Sequence, residues 1–278
     1  IQRLPEKPEA LYGHFVFPSG LAAAEIGARA GIPAFLAYGE SSAKLFSAIP
    51  TTALRRRLSA LAGVVAVSGE NAREIVEDGL YPFPEKVRVF PNAVDPAVFH
   101  PMDRREARRA LGLPEDAFLV AFVGGFIPRK GVGVLSRALD EADAASIFIG
   151  RGETKPDAKN MLFSGALDHG EIPRYLAAAD VFALPTLSEG CCNAIVEALA
   201  MGLPVVSSAR PFNDGLLTAE NSLRVDPTDE RAVASAIRRL REDSALRAQL
   251  AEGARRTGEA LQIAARAADI LKFMEERL

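Results

Sequence analysis

The sequence has no tryptophan, only three histidines and two cysteines among 278 residues, and no apolar run close to the 18 or so residues of a membrane span. Cys191 and Cys192 are neighbours in the chain, and adjacent cysteines reach disulfide geometry only with strain. No further cysteines or clustered histidines supply a zinc pattern. Both thiols therefore read as reduced small side chains, in keeping with a cytoplasmic protein. The opening IQRLPEKPEA lacks the apolar core of a secretory leader. A net charge of −3 and a pI near 5.8 leave no basic footprint for nucleic acid. The arginine clusters at Arg55, Arg56 and Arg57, at Arg104 and Arg105, and at Arg108 and Arg109 read first as solvated helix faces. The lesser alternative is peripheral contact with an anionic membrane surface, for which the basic, partly amphipathic TTALRRRLSALAG is the candidate.

What is present is ordinary for a globular chain: 49% hydrophobic and 25% charged residues. Short apolar runs alternate with helical stretches, the pattern of parallel βαβ units. Strands are expected at LYGHFVF, PAFLAYG, VVAVS and KVRVF, separated by helices at GLAAAEIGARAG, TTALRRRLSALAG and ENAREIVEDGL. FPNAVDPAVFHPMD, with three prolines, interrupts the series as a linker. A second series follows, with strands at FLVAFVGG, ASIFIG, NMLFSG, VFALPT and PVVSSA and helices at GVGVLSRALDEAD, IPRYLAAAD and CCNAIVEALAMG. From about Asp229 the pattern is helical. The expected fold is α/β, with two doubly wound parallel-sheet domains and a cleft between them. The first domain is placed at residues 1–100, the second at 101–258, and a last helix at 259–278 is placed so that it can pack back on the first. Four strands in the first domain fall short of the usual five or six, so either this domain is unusually small or a segment upstream of Ile1 is absent from this chain.

Two stretches carry candidate chemistry. In SEGCCNAIVE, residues 188–197, a polar loop turns into a helix just after a strand. Ligands of open α/β sheets bind at the carboxyl ends of strands, and a helix start there offers unpaired N–H groups to a phosphate. Glu189 and Glu197 flank that start, about 12 Å apart if the whole span is helical. Such spacing suits a diphosphate with a hydroxyl-bearing group at either end, as in a nucleotide sugar, since carboxylates accept hydrogen bonds from hydroxyls. The plainer reading is a capping residue and a solvated one. In FVGGFIPRKG, residues 122–131, Gly124 and Gly125 end a strand, and Arg129 and Lys130 follow as cations able to neutralise a departing diphosphate. Alone, the triplet is commonly a solvated loop.

Together these stretches resemble the retaining glycosyltransferases of the GT-B fold, specifically the family-four group, over residues from about 11 to 245. VFPNAVDPAVFHP resembles the family's interdomain junction, with Ala93 where glycine is usual. FVGGFIPRKG resembles its phosphate loop, FSGALDHGEIPRYLAAADVFALPTLSEG the run from base pocket to donor site, and SEGCCNAIVEALAMGLPVVSS its E-x7-E signature. The resemblance implies that Glu189 contacts the transferred sugar, that Glu197 accepts from the ribose, and that Lys130 holds the diphosphate with the amides of Gly190, Cys191 and Cys192. It sets the base beside Ala166 and Leu167 and points His14 at the sugar; a lone histidine is as readily structural. It also implies transfer of a sugar with retention from a UDP-, GDP- or ADP-sugar to an unknown acceptor, with a cell-envelope acceptor as the candidate, and with no metal or other cofactor.

The sequence departs from the family at several points. Gly125 stands where an arginine is usual, and Arg129 is expected to supply that charge. RPFNDGLLTAENSLRVDP replaces a common segment, leaving Asn213 and Asp214 as weak sugar-facing candidates. About ninety residues that family members carry before the His14 strand have no counterpart. One competing reading is a non-catalytic nucleotide-sugar-binding partner subunit. The other is a different GT-B enzyme, a phosphorylase or epimerase, against which stand the lack of an identifiable pyridoxal-phosphate lysine and the shortage of histidines. His100 and His169 read as exposed rather than catalytic.

Overall fold

The structure is a computed structural model that describes residues 6–41 and 49–278, so the first half of the opening ten-residue stretch lies outside the described residues. The chain divides into two compact units. The first comprises Ile1–Asn92, Glu189–Cys191 and Ala264–Leu278, and the second Ala93–Ser188 and Cys192–Ile263. No helix among the described residues is long and apolar enough to cross a membrane.

In the first unit, strands β1 (Leu11–His14), β2 (Ala34–Tyr38), β3 (Gly63–Ala66) and β4 (Val87–Val89) are all parallel and lie in the order 1-2-3-4. The helices between them are α1 (Leu21–Ala30), α2 (Thr51–Leu58) and α3 (Gly69–Glu77). Every step along the sheet runs the same way, so right-handed crossovers put all three helices on one face. Strand alternation follows from that. Leu36, Tyr38 and Val64 face the helices, packing with Val16, Ala24, Leu54, Leu58, Ile75 and Tyr81. Phe35 and Val65 face the other way and meet Phe90, Ile270 and Phe273. The last two belong to α10 (Ile263–Glu275), so the helix at the chain's far end covers the face that no crossover helix reaches. Phe273 is fully buried, edge-on to Phe35 at 6.2 Å and to Phe90 at 5.6 Å, and it lies directly over Gly63, where a Cβ would come within 2.9 Å of its ring.

The strand expected over LYGHFVF stops at His14. Phe15 turns with φ 62°, and the Val16 N–H donates to the Glu40 carboxylate at 2.7 Å instead of to a neighbouring strand. Pro18 has no N–H for a ladder and holds Phe17 extended, and the Ser19 hydroxyl takes up the His14 carbonyl.

The second unit holds a six-stranded parallel sheet of β5 (Leu119–Val123), β6 (Ala145–Ile149), β7 (Met161–Gly165), β8 (Val181–Leu184), β9 (Val205–Ser208) and β10 (Ser222–Val225). Its order is β10-β9-β8-β5-β6-β7, with the direction of winding reversing between β5 and β8. β5, β6 and β8 are buried along their whole lengths, as a doubly covered parallel strand requires. The helices are α4 (Arg104–Leu111), α5 (Val132–Ala142), α6 (Ile172–Ala178), α7 (Asn193–Ala200), α8 (Glu230–Glu242) and α9 (Ser244–Ala260). The four-residue edge strand β10 is not expected from the sequence reading, whereas α4 carries the arginine clusters that were read as a helix face. The linker also divides differently, because Val94 bridges to Gln262 and Phe99 is buried in this unit, so residues from Ala93 on belong here.

Arg108 overturns the expectation of a solvated helix face. It is 2% exposed, donates to the Ala178 carbonyl at 2.8 Å and pairs with Asp180 at 2.8 Å. Asp180 also pairs with Arg104 and accepts from the Leu119 N–H. Nearby, Arg241 donates to the carbonyls of Ala142 and Asp143, and Arg247 to that of Leu240. The ends of α5, α6 and α8 thus each receive a guanidinium, where the negative ends of helix dipoles favour cations. A cavity of about 550 Å³ lined by these arginines is a brace at the amino ends of the strands.

Phe273→Ala is expected to lower unfolding stability by about 3–5 kcal/mol, the range for truncating a buried aromatic. Chemical denaturation followed by far-UV circular dichroism measures it. A loss under about 1 kcal/mol would show that α10 is dispensable to the first unit's core.

Candidate functional site

Reversal of strand order between β5 and β8 opens a crevice at their carboxyl ends, the place where such sheets take ligands. Two loops meet there. One runs from Gly124 to Gly131 after β5, the other from Pro185 after β8. The Arg129 carbonyl accepts from the Leu187 N–H at 2.8 Å and the Thr186 hydroxyl at 3.2 Å, and the Arg129 guanidinium donates to the Ser188 carbonyl. Gly131, at φ +72°, lies so close to Pro185 that a Cβ would overlap its carbonyl. A side chain there would force the loops apart.

Lys130 reaches across this junction, its Nζ 3.9 Å from the Cys192 Sγ. Cys192 is the N-cap of α7 and provides no side-chain cap. The first turn of α7 therefore presents backbone donors and a partial positive charge beside an ammonium group, an arrangement that favours an anion. Glu189 precedes this helix in the loop, so the carboxylate pair does not lie on one helix.

Beside the junction lies a cavity of about 770 Å³, lined by Gly124, Gly125, Gly150, Arg151, Ala166, Leu167, Asp168 and Glu171 among others. It joins the ends of β5, β6 and β7. Gly150 abuts Gly124, and a Cβ there would overlap the Gly124 carbonyl. Gly125, Ala166 and Leu167, singled out from sequence, line this cavity; Lys130, Arg129, Glu189 and Glu197 are not among its lining residues. Arg151 was missed. Its signal is IGRGE, two glycines around a cation directly after a buried strand, in the position that the GG pair holds after β5.

Glu197 lies on α7 with 8% exposure. Its Oε1 is 3.2 Å from His169 Nε2. His169, 67% exposed along its side chain, also stands edge-on to Phe99 at 5.1 Å. Burial pushes the Glu197 carboxyl above its ordinary range, and the His169 hydrogen bond pulls it partly back.

In the first unit, His14 ends β1, exposed and edge-on to Tyr12 at 5.0 Å. Next to it in the sheet, beyond the end of β2, is Glu40, which sequence reading did not mark. It is 5% exposed, accepts from Val16 and Gly39 amides at 2.7 and 3.0 Å, and burial raises its carboxyl above the ordinary range. The Glu189–Cys191 segment belongs to this unit. Gly190 packs so that a Cβ would come within 2.8 Å of the Gly39 carbonyl carbon. Asn92 holds Cys191, its backbone N–H 3.3 Å from Sγ and its side-chain amide 2.9 Å from the carbonyl. Asn213 and Asp214 are otherwise engaged: Asn213 is buried and donates to the Ser208 carbonyl at 2.9 Å, and Asp214 pairs with Arg224 at 2.6 Å. Among the described residues no group of three or more His, Cys, Asp or Glu side chains is placed to hold a metal.

Residues 103–257, more than half of the chain, match the model of the family described as "Glycosyl transferases group 1". The chain is 29% identical over 254 residues to the putative teichuronic acid biosynthesis glycosyltransferase TuaC of Bacillus subtilis, covering 88% of this chain and 64% of that protein. It is 35% identical over 205 residues to a D-inositol 3-phosphate glycosyltransferase of a Nocardioides species, covering 62% of this chain and 44% of that one. The chain thus spans less than two thirds of the length of these relatives. Among solved structures, it is similar to HepE of Anabaena in complex with UDP, with a TM-score of 0.82 at 19% identity over 96% of this chain and 79% of that one. The sucrose-phosphate synthase of Thermosynechococcus elongatus has a TM-score of 0.79 at 20% identity, over 96% and 73%. Both likenesses speak to the fold.

The raised Glu197 carboxyl gives a signed expectation. A folded-state pKa above the unfolded one stabilises fully below the unfolded value, and that contribution is lost as pH rises through the folded value. Gln cannot ionise, so the melting temperature of Glu197→Gln minus that of the native protein should become more positive from pH 4 to pH 8. A flat or falling difference would show that Glu197 is not a desolvated carboxyl.

Proposed function

The chain belongs to the group 1 glycosyl transferases, and on that footing we propose that it moves a sugar from a nucleotide diphosphate donor to an acceptor hydroxyl with retention of anomeric configuration, as in the family-four group. The observation that carries this reading is the junction at the switch point, where Lys130 stands 3.9 Å from the residue that caps α7. An ammonium and a helix start side by side suit a diphosphate, and the cavity next to them has the room for a nucleoside.

The donor's diphosphate lies against Lys130 and the amides at Gly190, Cys191 and Cys192, with Arg129 bracing the loop and adding charge. The base sits by Ala166 and Leu167 over the glycines at Gly124 and Gly125, with Arg151 at its edge. Glu197 accepts hydrogen bonds from the ribose, and Glu189 and His14 contact the transferred sugar. In the reaction the bond from the anomeric carbon to the diphosphate oxygen breaks. The acceptor oxygen bonds to the same face, and its proton passes to the departing diphosphate. The protein's part is positioning and stabilising developing negative charge, which needs fixed donors aimed at the leaving group and no side-chain nucleophile. Charge neutralisation by Lys130 and the α7 start would let transfer proceed without a metal. The names of the relatives, a teichuronic acid biosynthesis glycosyltransferase and a D-inositol 3-phosphate glycosyltransferase, support a polyol or glycan as the acceptor class.

A thermal-shift screen of UDP, GDP and ADP tests the donor half. The cognate diphosphate at a hundred times its dissociation constant should stabilise the fold by about 2.7 kcal/mol, and no shift with any of the three would sink the reading. Lys130→Ala should weaken the cognate diphosphate by about ten- to a hundredfold, the range for a lost charge-assisted contact, and leave the parent nucleoside nearly unaffected. With an acceptor in hand, Glu189→Ala should lower the transfer rate far more than it lowers nucleotide affinity. Equal losses would make Glu189 a binding contact only.

A further inference from the structure

We infer that His169 is a positioning residue that sets the Glu197 carboxylate for ribose recognition; the inference rests on the reading of Glu197 given above. Three observations converge on it. First, His169 Nε2 lies 3.2 Å from Glu197 Oε1, and that is the carboxylate's hydrogen bond among the described residues; Oε2 is not among the buried polar atoms left without a partner, so it remains open to solvent and ligand. Second, the imidazole stands edge-on to the buried Phe99 at 5.1 Å. Third, His169 sits in a capped turn whose neighbours Asp168 and Glu171 line the 770 Å³ cavity. In that turn the Asp168 N–H donates to the Glu171 carboxylate at 3.0 Å.

The consequence is geometric. A carboxylate on a helix rotates about its last two bonds, and a ribose hydroxyl pair is recognised well only when the accepting oxygen is held in one orientation toward it. Donation from Nε2–H to Oε1 removes that rotation and leaves the lone pairs of Oε2 for the ribose hydroxyls. It also offsets part of the penalty that burial places on the charged form of Glu197. His169 is mostly solvent-exposed, so the fold gains little from its packing. Its place beside the cavity, and Glu197 as its one polar partner among the described residues, make it an orienting group rather than a core residue.

The test compares ribo and 2′,3′-dideoxy forms of whichever of UDP, GDP and ADP the native protein binds most tightly, by isothermal titration calorimetry. The native protein should prefer the ribo form by about ten- to a hundredfold, as hydrogen bonds to a charged acceptor imply. In His169→Ala that preference should shrink to about threefold or less, with the dideoxy affinity nearly unchanged. His169→Gln, which keeps a donor at similar reach, should restore most of it. Full preference in His169→Ala would overturn the inference and leave the assignment of Glu197 intact. Equal loss of both forms in His169→Ala would mean that the imidazole serves the base or the fold instead. No preference in the native protein would remove Glu197 from the ribose, and the inference with it, while tight binding of both forms would still support a nucleotide site.

Discussion

The hydrogen bonds that tie the loop after β5 to the loop after β8 through the Arg129 carbonyl are the constraint on which the second unit's site depends. A parallel sheet whose order reverses leaves two neighbouring strands with their connections running to opposite faces, and the chain must pass out over the crevice at that point. Left alone, two such loops would spread. Donation from Leu187 and Thr186 to one carbonyl, and the absence of a side chain at Gly131, hold them in contact. Lys130 and the start of α7 are then fixed relative to each other because each belongs to one of the joined loops. The charge arrangement is a by-product of sheet topology, made permanent by a few backbone hydrogen bonds.

Opposite ends of the same sheet treat charge in opposite ways. At the amino ends, guanidinium groups from Arg108, Arg241 and Arg247 meet the carbonyls that end α6, α5 and α8, and Asp180 binds two arginines and a strand amide. Positive charge there is taken up by helix-end carbonyls and by the Asp180 carboxylate. At the carboxyl ends, helix starts face the crevice, glycines replace side chains and Arg151 lines an open cavity. Both ends are hollow, and the direction of the helices distinguishes a brace from a place for an anion.

The first unit has a different economy. Its four-stranded sheet winds in one direction, so its second layer has to come from elsewhere, and α10 supplies it through Ile270 and Phe273. At the carboxyl edge, a buried carboxylate at Glu40 holds the turn after His14 by accepting backbone N–H groups. That turn carries a histidine outward at the end of a strand, while the Asn92 amide and backbone fix the Cys191 segment.

Much of this was legible in the chain itself. Alternating apolar runs and helical stretches specify two parallel α/β sheets because strand and helix periodicities differ and glycine or proline marks their ends. The GG, RKG and SEGCC stretches could be located for the same reason, since each stands directly after an apolar run. What the sequence left open is whatever depends on distant pairing. Arg108 reads like its neighbours on α4 until Asp180, 72 residues on, is folded against it. His169 looks like an exposed loop residue until α7 brings Glu197 within hydrogen-bonding reach, and Glu40 and Arg151 look unremarkable until the strand before each is set in its own sheet. Local composition determined the elements and their ends; the partners of each polar group were decided only by the tertiary fold, because burial and hydrogen bonding are properties of what comes together in space.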